Sequence, residues 1–253
     1  MLVDYLRRAA PPGSMRYFAL LYALPQQRDL LAALFVIDAE IRATIHAAHE
    51  VAHARLQWWR MEFDRLINRN AQHPATQVLQ SKLPNADFSA LHEVLVAADM
   101  ELAHMTYHNA QELDAYLSRS GGSLPQLIEG NSRAHRIGLC IRRVETLRDL
   151  ANDARNGNVF WALDELDSAK VSIADLRAGK NTEPVRNLIA KECTRLLTEF
   201  KTLSGPRPLI VLAELHARLL NKIQRANHDV FIRRHELGPF EKTWTAWRAA
   251  RHS

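Results

Sequence analysis

Along most of this chain, apolar residues return every third or fourth position, and glycine and proline fall mainly between the segments that show this spacing. On a helix of 3.6 residues per turn, such spacing gathers side chains onto one face, which must then be buried against another helix. The pattern predicts helices over 30–45, 91–105, 137–150, 185–203 and 209–232. No strand-like alternation of comparable length is present. Loops are expected at Pro11-Pro12-Gly13-Ser14, His73-Pro74, Leu83-Pro84-Asn85, Ser120-Gly121-Gly122-Ser123 and Ser204-Gly205-Pro206. Ser14 is expected to cap the first main helix, and Asp87 or Ser89 to begin the one carrying Leu91, Val94 and Leu95. There is no repeat and no low-complexity linker. Residues 1–253 are therefore expected to form one all-α domain, a helical bundle with an interior large enough for an elongated apolar ligand.

The balance of 33 basic against 28 acidic residues favours an anionic small molecule or a membrane surface. The basic residues are scattered rather than gathered into a stripe with interleaved aromatics, so no nucleic-acid partner is expected. Two cysteines, Cys140 and Cys193, lie in separate helical patterns, which excludes a disulfide framework and fits a reducing, cytoplasmic address. Arg7-Arg8 before the apolar run at 17–24 faintly imitates a secretory leader, but the run is short, follows Pro11-Pro12-Gly13 and lacks a small-residue cleavage site. No stretch approaches the roughly 18 apolar residues needed to cross a bilayer. Val211, Leu215, Leu219 and Leu220 make an apolar stripe that reads as core packing before it reads as a membrane face.

Chemistry is concentrated in Arg148-Asp149-Leu150-Ala151-Asn152-Asp153-Ala154-Arg155. Asp149 and Asp153 stand one helical turn apart, so their carboxylates are neighbours, and such a pair can hold a divalent cation. Arg148 and Arg155 beside them suit a diphosphate, since guanidinium forks match phosphate oxygens. The plain alternative is a solvated helix face laced by ion pairs. Twelve histidines are present, but His46, His49 and His53 lack a carboxylate that would complete a zinc set.

Several segments, in order, resemble the squalene/phytoene synthase family. Ser14-Met15-Arg16-Tyr17-Phe18-Ala19, then Leu24-Pro25 and Arg28, is similar to the family's opening element, and Ala32-Ala33-Leu34-Phe35 to the start of its first catalytic helix. Asp99-Met100-Glu101-Leu102 with Tyr107, Glu112-Leu113 and Tyr116 resembles the central helix and the element after it. The segment 138–164 resembles the second aspartate-rich motif, and His228-Asp229-Val230-Phe231-Ile232-Arg233-Arg234 the late signature. The resemblance implies an isoprenoid synthase fold, prenyl diphosphate substrates joined head to head, and Mg²⁺ held between two aspartate motifs. The resemblance makes Tyr17 a candidate diphosphate contact and Asp149 and Asp153 candidate Mg²⁺ ligands; Arg42, Arg148 and Arg155 are candidate diphosphate contacts in a member altered at its first motif.

The pattern also breaks. Aligned on Ala33-Leu34-Phe35, the first aspartate motif falls on Arg42-Ala43-Thr44-Ile45-His46, and its acids are missing. Two unit charges about 4 Å apart at an effective dielectric near 20 interact by roughly 4 kcal/mol, so a carboxylate-to-arginine change turns metal attraction into comparable repulsion. Asp38, one turn before Arg42, is expected to pair with it, whereas Glu40 points elsewhere on the helix. Leu56-Gln57-Trp58-Trp59-Arg60 resembles a divergent branch of the family that includes mitochondrial complex I assembly factors; Trp58 and Trp59 read first as a packed helix face. Two readings follow. One is a non-catalytic or altered member that binds a prenyl diphosphate or other long apolar ligand as an assembly or regulatory factor, with room for a protein partner and peripheral membrane contact. The other is an active Mg²⁺-dependent prenyltransferase. A plain helical interaction protein with a filled interior is a third.

Overall fold

The computed structural model describes residues 2–128 and 132–252. Fourteen α-helices are present among them: α1 (Leu2–Ala9), α2 (Met15–Leu21), α3 (Pro25–Ile45), α4 (His49–Ile67), α5 (Pro74–Lys82), α6 (Ala90–Leu102), α7 (Ala110–Leu117), α8 (Ser132–Arg148), α9 (Leu150–Arg155), α10 (Leu163–Ser168), α11 (Ile173–Arg177), α12 (Glu183–Phe200), α13 (Arg207–Arg225) and α14 (Pro239–His252). A π-helical turn, Ser118–Gly122, and a short 3₁₀ turn, Pro125–Ile128, link α7 toward α8. No strand occurs among the described residues; Tyr107 and Ala162 form one isolated bridge.

Local chemistry sets the helix starts. Ser14 Oγ accepts from Tyr17 N at 3.1 Å and so caps α2, as its position in the sequence predicts. Prolines occupy the first turn of α3, α5, α12 and α13, where a missing N–H costs nothing. Asn109 Oδ1 accepts from Glu112 N while Glu112 Oε2 accepts from His108 N, a reciprocal cap for α7. Ser89 stands at the N-cap of α6, with Asp87 accepting from its backbone and hydroxyl.

Helix α13 packs on α2, α8, α12 and α14, and α8 packs on the π-helical turn. The apolar stripe of Val211, Leu215, Leu219 and Leu220 is fully buried in this arrangement. One hydrophobic core extends from Ala9 to Ala249. Where α8 crosses the π-helical turn, two glycines meet: a Cβ on Gly138 would lie 2.1 Å from Gly121 O, and one on Gly121 only 2.5 Å from Arg142 Cβ. The turn anticipated at 120–123 is thus a close approach that only glycine permits, and it brings the middle of α8 beside the loop.

Four of the five expected helices end early, 91–105 at Leu102 and 185–203 at Phe200 among them. The segment 209–232 stops at Arg225, because Asn227 and His228 take left-handed φ of 54° and 59° and reverse the chain; Val230 and Phe231 keep helical spacing but are buried from a loop. The helix expected over 137–150 is interrupted at Asp149, whose φ of −95° and ψ of 5° separate α8 from α9. Trp59 is buried against Phe63 and His73 and forms the packed face that the sequence suggested, whereas Trp58 is exposed and meets the edge of His73. No helix among the described residues is long and apolar enough to cross a membrane.

Candidate functional site

Arg142, Glu145, Arg148 and Asp149 recur at three- and four-residue intervals and therefore share one face of α8 and its end. Arg142 is buried and donates to Glu101 Oε1 at 2.8 Å and to the Tyr116 hydroxyl, which itself donates to Glu101 at 2.6 Å. Its neighbour Arg143 points to the opposite wall, donating to Glu192 Oε1 and to the Phe160 carbonyl, both at 2.6 Å. Adjacent arginines thus fix α8 to α6 on one side and to α12 on the other. Burial would raise the Glu192 carboxyl, but Arg143 and Arg195 overcome it and bring the group down to about 2.

Helix α3 faces this wall with Asp38 and Arg42. Arg42 Nε donates to both Asp38 oxygens at 2.9 Å, and its Nη2 lies 3.7 Å from Glu145 Oε2. Arg16, from α2, closes on Asp38 from the other side and donates to Phe35 O at 3.3 Å. Asp38 is buried, which opposes ionisation, yet the two guanidiniums hold its carboxyl far below the ordinary range. Glu40 turns away to Arg8, 3.5 Å distant. The i,i+4 pair read from the sequence is present, and its acid is already engaged by two arginines.

Asp149 accepts from Arg148 Nε at 3.0 Å and from Arg234 Nε at 2.6 Å. Arg234 belongs to the segment between α13 and α14, so this contact ties that segment to the end of α8. Asp153 has a different environment. Burial raises its carboxyl first, Arg142 opposes that, and the Asp149 charge adds to it; the group is pushed up to about 7. His216 on α13 is buried, with Nδ1 2.7 Å from Leu212 O and Nε2 3.9 Å from Glu145, and desolvation lowers its pKa.

Two adjoining cavities meet here. One, of about 710 Å³, is lined by seven arginines, including Arg42, Arg148, Arg155 and Arg233, against four acids, Glu101, Glu145, Asp149 and Asp153. The other, of about 580 Å³, is walled largely by Leu31, Leu34, Phe35, Leu124, Ile141, Leu209 and Leu212. Arg16, Arg42, Arg142, Glu145, Arg148 and Arg234 line both. A basic mouth therefore leads through an arginine-lined neck into an apolar chamber, whose size lies within the roughly 300–1,000 Å³ of ordinary ligand sites.

Of the residues singled out in the sequence, Arg42, Arg148, Arg155, Asp149 and Asp153 line the basic mouth. Tyr17 lines neither cavity; its neighbour Arg16, about 100° around α2, lines both. Sequence reasoning missed Arg16, Glu101, Arg142, Glu145, His216 and Arg234. The spacing of Arg142 and Glu145 ahead of Arg148 and Asp149 was a signal available for two of them.

The donors suit the family's Mg²⁺ cluster poorly. No group of three or more His, Cys, Asp or Glu side chains among the described residues could hold a metal ion. The facing helix presents Arg42, and a cation between Asp149 and Asp153 must first displace Arg148 and Arg234. What the arrangement does offer is a set of fixed guanidinium forks at the entrance to an apolar chamber.

Comparison with known proteins agrees with this architecture. The sequence profile described as squalene/phytoene synthase matches residues 10–247. Phytoene synthase 1, chloroplastic, of Arabidopsis thaliana is 23% identical over 89% of this chain and 60% of its own length; phytoene synthase of Arthrospira platensis is 24% identical over 71% and 69%. The chain thus spans about three-fifths of the length of the plant relative. Among solved structures, a dehydrosqualene synthase in complex with ligand superposes with a TM-score of 0.86 at 13% identity, covering 99% of this chain and 95% of that one. Squalene synthase HpnC from Alicyclobacillus acidocaldarius gives 0.74 at 18% identity, over 90% and 95%. These likenesses show a shared all-α isoprenoid synthase fold. From its second helix to its last, the chain belongs to the squalene/phytoene synthase family.

Proposed function

We propose that this protein binds one prenyl diphosphate or a closely similar amphiphile, head in the basic mouth and tail in the apolar chamber, without ionising it through a metal cluster. The observation that carries this reading is Arg42, which lies between Asp38 and Glu145 at the neck shared by both cavities. A guanidinium there attracts a phosphate and repels a cation. Asp153, pushed up to about 7, is only partly ionised near neutral pH and so opposes an anion less than an ordinary aspartate does.

The chain's own groups divide the work. Arg42 and Arg148, held by Asp38 and Asp149, face the diphosphate as fixed donors with the exposed Arg155 beside them, Arg142 is anchored by Glu101 and Tyr116 as the floor of the mouth, and Leu34, Phe35 and Leu212 exclude water from the tail. Such a protein acts as an assembly or regulatory factor, and Leu56–Arg60 is the element that supports placing it beside the family's assembly-factor branch. The relatives' names favour the second reading, a prenyltransferase, in which Asp149 and Asp153 would be the residues to hold Mg²⁺, and Mg²⁺ would supply the Lewis acid for the diphosphate.

Calorimetry with farnesyl diphosphate tests the first reading. Binding that is equally tight in EDTA and in Mg²⁺, and lost on Arg42→Ala, is the expected result. Binding that requires Mg²⁺ and survives Arg42→Ala overturns it.

A further inference from the structure

Helix α14 carries an aromatic stripe that the described residues leave exposed. Phe240, Trp244 and Trp247 are 80%, 53% and 38% exposed, and with Arg251 they recur at i, i+4, i+7 and i+11, within an arc of about 60° at 100° per residue. The opposite face supplies Thr245, Ala246 and Ala249 to the interior, so the helix is fully seated and the stripe is not a packing surface in waiting. Trp244 and Trp247 stack with centroids 5.0 Å apart, and Arg251 sits 4.4 Å over Trp247.

We infer that this face docks the protein onto an anionic lipid bilayer. Large aromatic rings flanked by guanidiniums are what an interfacial helix presents, the rings entering the headgroup boundary while the cations meet lipid phosphate. The charge is one-sided: Arg248 and Arg251 are exposed, whereas Glu241, the helix's one acid, is already engaged by Lys222 at 2.9 Å and Arg218 at 3.6 Å. The location agrees. Leu237, just before α14, and Lys242, in its first turn, line the apolar chamber, so that chamber reaches the root of the docking helix. A ligand with a long hydrocarbon tail dissolves in a bilayer rather than in water, and this placement sets the chamber beside its source. That last link rests on the amphiphile reading; the docking face stands on its own residues.

Flotation of the purified chain with phosphatidylcholine vesicles, with and without about one-third phosphatidylglycerol, tests the inference without any ligand. The expected result is binding to the anionic vesicles, weakened by salt and lowered at least about tenfold by Arg248→Glu/Arg251→Glu, given about 1 kcal/mol per basic residue at such a surface. Phe240→Ser/Trp244→Ser/Trp247→Ser should abolish it at an unchanged melting temperature; the arginine pair, which alters only exposed side chains, carries the test should the triple variant fold poorly. Absence of vesicle binding, equal binding by the charge-reversed variant, or a dimer in solution that the triple variant makes monomeric each overturns it. Calorimetry on the pocket is independent: loss of vesicle binding leaves that reading standing, and the converse holds.

Discussion

Arg234 donates to Asp149 across 85 residues of chain, with Nε 2.6 Å from Oδ1 and Nη2 3.2 Å from Oδ2. A fork-to-fork pair of this kind orients both partners. It fastens the segment between α13 and α14 to the end of α8 and engages a carboxylate that the family pattern reserves for a metal.

Arg234→Ala should therefore weaken binding of a prenyl diphosphate by about tenfold, since a charge-assisted hydrogen bond contributes roughly 1.5–3 kcal/mol. Fold stability should change by less than about 1 kcal/mol, because Arg234 is half exposed and such pairs are screened. Calorimetry and urea denaturation of the same variant separate the two effects.

Arg142→Leu should be far more damaging. It leaves the buried Glu101 carboxyl and Tyr116 hydroxyl without their cation, a loss of roughly 3–5 kcal/mol for one partner of a buried pair. Adding Glu101→Met should recover part of that loss, and a double-mutant cycle in urea measures how much.

Gly138→Ala should cost at least about 2 kcal/mol, the range expected for overpacking. The new methyl would lie 2.1 Å from the backbone oxygen of Gly121, which cannot swing aside as a side chain could. A lowered denaturation midpoint with an unchanged m-value is the expected observation.

Glu192 predicts an acid limit. Its carboxyl falls to about 2 in the fold, against an ordinary value near 4.5, so its contribution is fully present above pH 4.5 and is lost as pH drops toward 2. The shift corresponds to something on the order of 3 kcal/mol. Glu192→Gln should flatten the stability profile in that window and leave its shape above pH 5 unchanged, as denaturation at stepped pH will show.

The helices were legible because each must bury an apolar face, and that demand is written into residue spacing. Their ends were less so. Nothing marks Asp149 as a break, since apolar periodicity continues through Leu150 and Ala154, both buried. The end at Arg225 was hidden by Val230 and Phe231, which satisfy helical spacing from a loop. In the site, Asp149, Asp153 and Arg148 were readable because they sit close together in the sequence. Arg16 and Arg234 reach the mouth from α2 and from the segment before α14, and only tertiary packing unites them with α8. The late signature did contain Arg234, but its partner stands 85 positions away. Tyr17 drew attention through a motif whose inward-facing member here is Arg16.

The most direct test of a binding site without metal-driven ionisation is pyrophosphate release from geranylgeranyl or farnesyl diphosphate in the presence of Mg²⁺, with products followed by mass spectrometry. The account predicts saturable binding, a raised melting temperature and no release above the protein-free rate. Mg²⁺-dependent release that Asp149→Asn/Asp153→Asn abolishes would contradict it, and would make this chain an active synthase despite Arg42.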